Sequence, residues 1–148
     1  MTRTVGRIAF AAVVWLFLIG IVVQVFLAGV GLFVPGVDMF AAHRTLGYML
    51  HISPVPILLL AWAAGADRRT IWLSVALLAV VAIQPLLPSM RVELPVAAAL
   101  HPVLALFIFG LTVVIARRSL ALARSGPAAV PAAPSGPSPA ASETPASQ

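Results

Sequence analysis

Three histidines and two glutamines, Gln24, His43, His51, Gln84 and His101, stand inside otherwise apolar runs of this chain, with Tyr48 close by. A polar group in hydrocarbon is costly unless another group answers it, so each marks a candidate site. Their spacing gives directions. His43, Gly47 and His51 form an i, i+4, i+8 series, which drifts only about 80° around a helix. Gly20, Gln24 and Ala28 repeat the series, as do Ala97, His101 and Ala105. In each series a polar side chain has small neighbours on its own helix face. Such residues mark faces that approach a second helix or a flat ligand closely.

Three kinds of chemistry suit this set. The histidines and glutamines can hydrogen-bond one another between helices, each bond contributing about 1 kcal/mol and fixing helix register. Alternatively, two imidazoles from facing helices can hold the iron of haem b as axial ligands, His101 being one and His51 or His43 the other. A different histidine-bound metal or a proton relay is the third reading. Zinc fits poorly, because it usually takes four ligands and no carboxylate accompanies the histidines within the apolar runs. No serine–histidine–aspartate arrangement, intramembrane carboxylate pair or glycine-rich phosphate loop is present, so the residues do not point to an enzyme.

The elements that position these side chains follow from composition. The chain has 148 residues, of which 61% are hydrophobic and 9% charged, and its mean hydropathy is +1.09. A soluble domain is roughly 45–50% apolar and about 25% charged, which excludes an ordinary water-soluble globule. Cysteine is absent, removing disulfides, thiolate nucleophiles and cysteine-held clusters. The net charge of +5 comes from nine arginines with no lysine. These arginines punctuate the apolar runs rather than lining one amphipathic face, a pattern that orients a membrane protein and does not suggest nucleic acid.

Four apolar runs predict spans at about 8–34, 43–65, 71–88 and 96–116 within a transmembrane domain of residues 1–118. The first, at ~1.5 Å per residue, exceeds the ~30 Å hydrocarbon core and is too long for the ~7–15-residue apolar region of a signal peptide. Short connections force neighbouring helices to run antiparallel, so the expected fold is an all-α, up-down-up-down four-helix bundle in the bilayer. Arg3, Arg7, Arg68, Arg69, Arg117, Arg118 and Arg124 fall on one side, Arg44 and Arg91 on the other. That imbalance places both termini in the cytoplasm. The polar cluster then occupies the outer half of the spans. Residues 119–148, rich in Ala, Pro and Ser, read as a disordered cytoplasmic tail. A membrane-protein partner or a second copy of the chain would be the natural associate of such a bundle.

The stretch Gln24–Gly31, His43-Arg44-Thr45-Leu46-Gly47-Tyr48 with His51, Gln84-Pro85-Leu86 and Leu100-His101-Pro102 resembles an uncharacterised family of small four-helix bacterial membrane proteins. The resemblance covers roughly residues 6–118. It implies a bacterial inner-membrane location and no particular activity. A more distant likeness is to one four-helix half of haem A synthase, in which a histidine–arginine pair opens the second helix and another histidine lies near the outer end of the fourth. That likeness implies that His43 and His101 are axial haem ligands. Phe40 replaces the acidic residue found three positions before the first histidine, and the outer-loop cysteine pair is absent. The likeness therefore extends to haem binding and not to haem oxidation.

Overall fold

A computed structural model of the chain describes residues 2–34 and 39–125, and all of its regular structure is helical. Asp38 and the tail beyond residue 125 lie outside the described residues. The helices are α1 (Thr2–Phe33), α2 (Met39–Ile52), α3 (Pro54–Ala63), α4 (Arg68–Ile83), α5 (Leu86–Ser89), α6 (Pro95–Ala98) and α7 (Leu100–Arg124). They compose four helical stretches long and apolar enough to cross a membrane: Arg3–Phe33, Phe40–Ala63, Arg68–Ser89 and Pro95–Arg124.

Prolines set the breaks. Pro54 and Pro56 have no amide hydrogen, so the second apolar run divides into α2 and α3. The Ser53 amide turns back to the Leu50 carbonyl at 3.1 Å, and the Ser53 hydroxyl donates to the Met49 carbonyl at 3.3 Å. The break therefore leaves the Leu50 carbonyl answered. Pro102 falls in the first turn of α7, where a missing amide costs little. At its other end α7 continues to Arg124, past the 118/119 boundary expected for the start of the tail. Ser119 is buried there and its hydroxyl donates to the Ala116 carbonyl at 2.8 Å. Leucines and alanines at 120–123 carry the helix through this stretch.

Between α3 and α4 the chain reverses on a built turn. Gly65 has φ +69°, its amide donates to the Trp62 carbonyl, and the Ala66 amide donates to the Ala61 carbonyl. This is the left-handed termination for which glycine is favoured. Asp67 then caps α4, accepting from the Thr70 amide at 3.2 Å and from its hydroxyl. Arg118 of α7 donates to the Asp67 carboxylate at 2.5 Å and to Thr70 Oγ1 at 2.7 Å. The Thr70 hydroxyl and the Arg118 guanidinium hold the Asp67 carboxyl down at about 2. A carboxyl held below its unfolded value contributes stability that is present above that value and lost as pH falls through the folded one. This contribution is therefore expected to be fully present above about pH 5 and to be lost between about pH 4 and 2. Asp67→Asn should lower stability at pH 7 and remove much of this acid limb, as thermal melts in detergent across pH would show.

Contacts between helices run in reverse order along the chain. On α1, Gly6 abuts Ala63 and Ala64, Gly20 abuts Leu50, and Gly31 abuts the ring of Phe40. Between α4 and α7, Thr70 meets Arg118 at one end and Gln84 meets His101 at the other. The core is confined to one end of this assembly. Phe10, Val14, Ile57, Leu77 and Ile115 are fully buried, whereas no residue of 22–34, 40–53 or 82–107 is. The end that collects Arg7, Arg68, Arg69 and Arg118 is thus tightly packed, and the end that collects the polar side chains is loosely packed.

Candidate functional site

Four helical stretches bring four polar residues together at the loosely packed end. His43 on α2 faces α1, and its Nδ1 lies 3.0 Å from the main-chain carbonyl oxygen of Gln24. His101 on α7 faces the end of α4, and its Nδ1 lies 3.1 Å from the main-chain carbonyl oxygen of Gln84. A carbonyl only accepts, so both rings carry the hydrogen on Nδ1. In a neutral imidazole this leaves the lone pair on Nε2, the arrangement that a main-chain acceptor imposes on a metal-binding histidine.

The two rings also meet in a T-shaped, edge-on contact. Their centroids are 6.4 Å apart and their planes are inclined at 71°. Phe40 presents its ring edge-on to His43 at 6.1 Å. The site has an approximate internal repetition, since each histidine bonds to the carbonyl of a glutamine on the preceding apolar run. The sequence separations are similar, 19 residues for His43 and 17 for His101. The glutamine–histidine pairing is the part of the site that spacing within single helices did not reveal. Its signal was a glutamine near one end of the run before each of these histidines.

Gln84 adds a second bond, its Nε2 donating to the His101 carbonyl at 3.1 Å. The His101 carbonyl lies in the first turn of α7, which Pro102 opens without an amide hydrogen. Gln84→Leu removes this donor but keeps the main-chain acceptor of the imidazole. The expected loss is about 1 kcal/mol of stability, measurable as a lower unfolding midpoint in detergent. Among the described residues, the side-chain oxygens Oε1 of Gln24 and Gln84 are both buried without a hydrogen-bond partner. Two unanswered acceptors of the same kind beside one histidine pair are unusual, because buried polar atoms are nearly always bonded.

Glycine permits the close approach on one side. A Cβ placed on Gly47 would lie 2.8 Å from Nε2 of Gln24, so the glutamine side chain lies across the position next to His43. The remaining sequence candidates fall elsewhere. Tyr48 is 66% exposed and does not join the cluster; five helical residues from His43 turn it by about 140°. His51 lies two turns from His43 and makes no hydrogen bond or ring contact among the described residues. The ring that meets that of His101 is His43. Among the described residues, no group of three or more His, Cys, Asp or Glu side chains comes together.

The residues present can be tested against haem. An imidazole nitrogen binds a first-row metal at ~2.0–2.1 Å, so two rings on opposite sides of one ion have centroids about 6.3 Å apart. The observed separation fits. The lone pairs are on the correct nitrogen, and the surrounding half of the assembly has no fully buried residue that a macrocycle would have to displace.

Comparison with known proteins places residues 24–90, a little under half of the chain, in a match to a family described as one of unknown function (DUF6220). Gln24, His43, His51 and Gln84 lie inside the match and His101 lies beyond it. No curated protein and no solved structure matches the chain. The likeness to haem A synthase therefore gains no support from these comparisons.

Proposed function

We propose that this chain is a multi-pass protein of the bacterial inner membrane that binds haem b between His43 and His101. In this reading the four apolar stretches form an up-down-up-down bundle with both termini in the cytoplasm, and the histidine pair lies in the outer half. The observation that carries the proposal is the pair itself: two rings 6.4 Å apart, each with Nδ1 held by a main-chain carbonyl. When bound, the haem would supply one-electron chemistry. The chain's residues would hold it in place: His43 and His101 would bind its iron, and the Gln24 and Gln84 carbonyls would fix ring orientation and raise ligand basicity. A haem held by two such side chains would serve relay or carriage of electrons.

A second reading keeps the same architecture without a cofactor. There the histidine–glutamine bonds only fix helix register in a scaffold or partner subunit. It is favoured by the bonds themselves, which already answer both Nδ1 atoms.

The deciding experiment is a reduced-minus-oxidised absorbance spectrum of the protein, purified in detergent after expression with ample haem supply. The haem reading expects a b-type signal near one haem per chain. A colourless but well-folded protein overturns it and leaves the scaffold.

A further inference from the structure

We infer that Phe40 is a positioning residue for the His43 ring, set between that ring and a notch in α1 at Gly31. Its consequence at an iron rests on the haem reading above, whereas the contacts that define it need no cofactor.

His43 and His101 are held differently. Gln84 binds His101 twice, its carbonyl accepting from Nδ1 at 3.1 Å and its Nε2 donating to the His101 carbonyl at 3.1 Å. His43 shares the first restraint, Nδ1 lying 3.0 Å from the Gln24 carbonyl, but there the glutamine side chain lies beside Gly47 instead. One hydrogen bond pins one atom of a ring and leaves its plane free to swing about the donor–acceptor line. A second contact is needed to fix the plane. The Phe40 ring supplies it, with its centroid 6.1 Å from that of the imidazole and the planes at 81°. Aromatic rings prefer this perpendicular arrangement, in which the positive edge of one meets the negative face of the other.

Phe40 is itself located by α1. A Cβ built on Gly31 would lie 2.8 Å from Cδ2 and 2.9 Å from Cε2 of the Phe40 ring. The ring therefore occupies the space that any other residue at 31 would fill. Gly29, two residues away, makes the contrast, because a Cβ there would meet no described residue within 4 Å. Phe40 stands in the first turn of α2, where amides lack intrahelical acceptors and helices fray. His43 follows three residues later on the same helix face. The series Gly31, Phe40, His43 thus carries the position of α1 to the imidazole plane. That plane stands at 71° to the plane of His101, and the angle between two axial imidazoles tunes the electronic structure of a haem iron. A swing of His43 therefore has a spectroscopic signature.

The test uses the full chain in detergent, with and without haem. Without haem, nitrogen-15 NMR reads exchange of the imidazole Nδ1–H groups with solvent. Phe40→Ala and Gly31→Ala should each speed exchange at His43 about tenfold and leave His101 unchanged. Phe40→Tyr, which keeps the ring, and Gly29→Ala should change neither. Gly31→Ala should add little once Phe40→Ala is present, because the ring it displaces is gone. With haem, Phe40→Ala should shift the ferric electron-paramagnetic-resonance g values and weaken haem affinity about tenfold. If Gly31→Ala does not fold, Phe40→Leu fills the notch without an aromatic edge and should still speed exchange at His43. Unchanged exchange in Phe40→Ala, or equal acceleration at both histidines, overturns the proposal. A colourless protein whose His43 still responds to Phe40→Ala overturns the haem reading and leaves the positioning role standing.

Discussion

His43→Ala and His101→Ala are each expected to abolish haem retention, whereas His51→Ala keeps the full b-type signal. The difference follows from position. His43 and His101 meet from α2 and α7 with their Nδ1 atoms engaged, so each presents Nε2 as the free nitrogen. His51 is eight residues further along α2, about 12 Å up the helix and about 80° around it. It therefore cannot replace His43 without moving the helix. Changing a residue that only supports a metal ligand costs about 10–100-fold in affinity. Removing the ligand itself should cost more than a hundredfold, enough to lose the chromophore during purification. Absorbance per chain for the three variants, prepared side by side, reads the outcome. Retention of colour by His43→Ala with loss in His51→Ala would reassign the second ligand. A conservative His101→Gln replacement sharpens the contrast with the scaffold reading, which expects it to be tolerated.

Phe10→Ala is expected to give the largest loss of stability of any single truncation in the packed end. Phe10 is fully buried on α1 and belongs to the same cluster as Val14, Ile57, Leu77 and Ile115. In water a Phe→Ala change in a core costs about 3–5 kcal/mol, combining lost transfer energy with the cavity left behind. In a bilayer the unfolded helices still lie in hydrocarbon, so the transfer part shrinks and the lost packing contacts remain. A loss of about 2 kcal/mol is expected. Trp62→Ala is the comparison, because Trp62 is 75% exposed and its truncation should change stability by under about 0.5 kcal/mol. Unfolding in mixed micelles, followed by helical circular dichroism, measures both. Similar losses at the two positions would mean that the packed end does not carry the stability.

Sequence reasoning reached the four apolar helical stretches because hydrocarbon-length runs are a strong and one-dimensional signal. It also placed Gln24, His43, Gln84 and His101 as candidates, since polar side chains in such runs stand out individually. It left the choice between His43 and His51 open. Both lie in the same run, and choosing needs the rotation of α2 against α7, which depends on packing across helices. Tyr48 was included for its polarity, although its angular offset from His43 turns it outward. The glutamine main-chain acceptors were invisible for a different reason: every residue has a carbonyl, and only the close approach of two helices singles out those of Gln24 and Gln84. The Asp67–Thr70–Arg118 clamp likewise joins residues 48 and 51 positions apart. Composition groups residues 119–124 with the alanine-rich tail, whereas α7 runs through them to Arg124.

The unequal packing of the two ends has a consequence for assembly. Cooperative unfolding units follow the density of buried contacts, and regions with few of them open at lower cost. Amide exchange should accordingly be slow around Val14, Ile57 and Ile115 and faster around His43 and His101. The arginine end is therefore expected to stay folded while the histidine end opens. On the haem reading proposed above, a planar guest would then enter a finished scaffold instead of having to be present while the helices first come together.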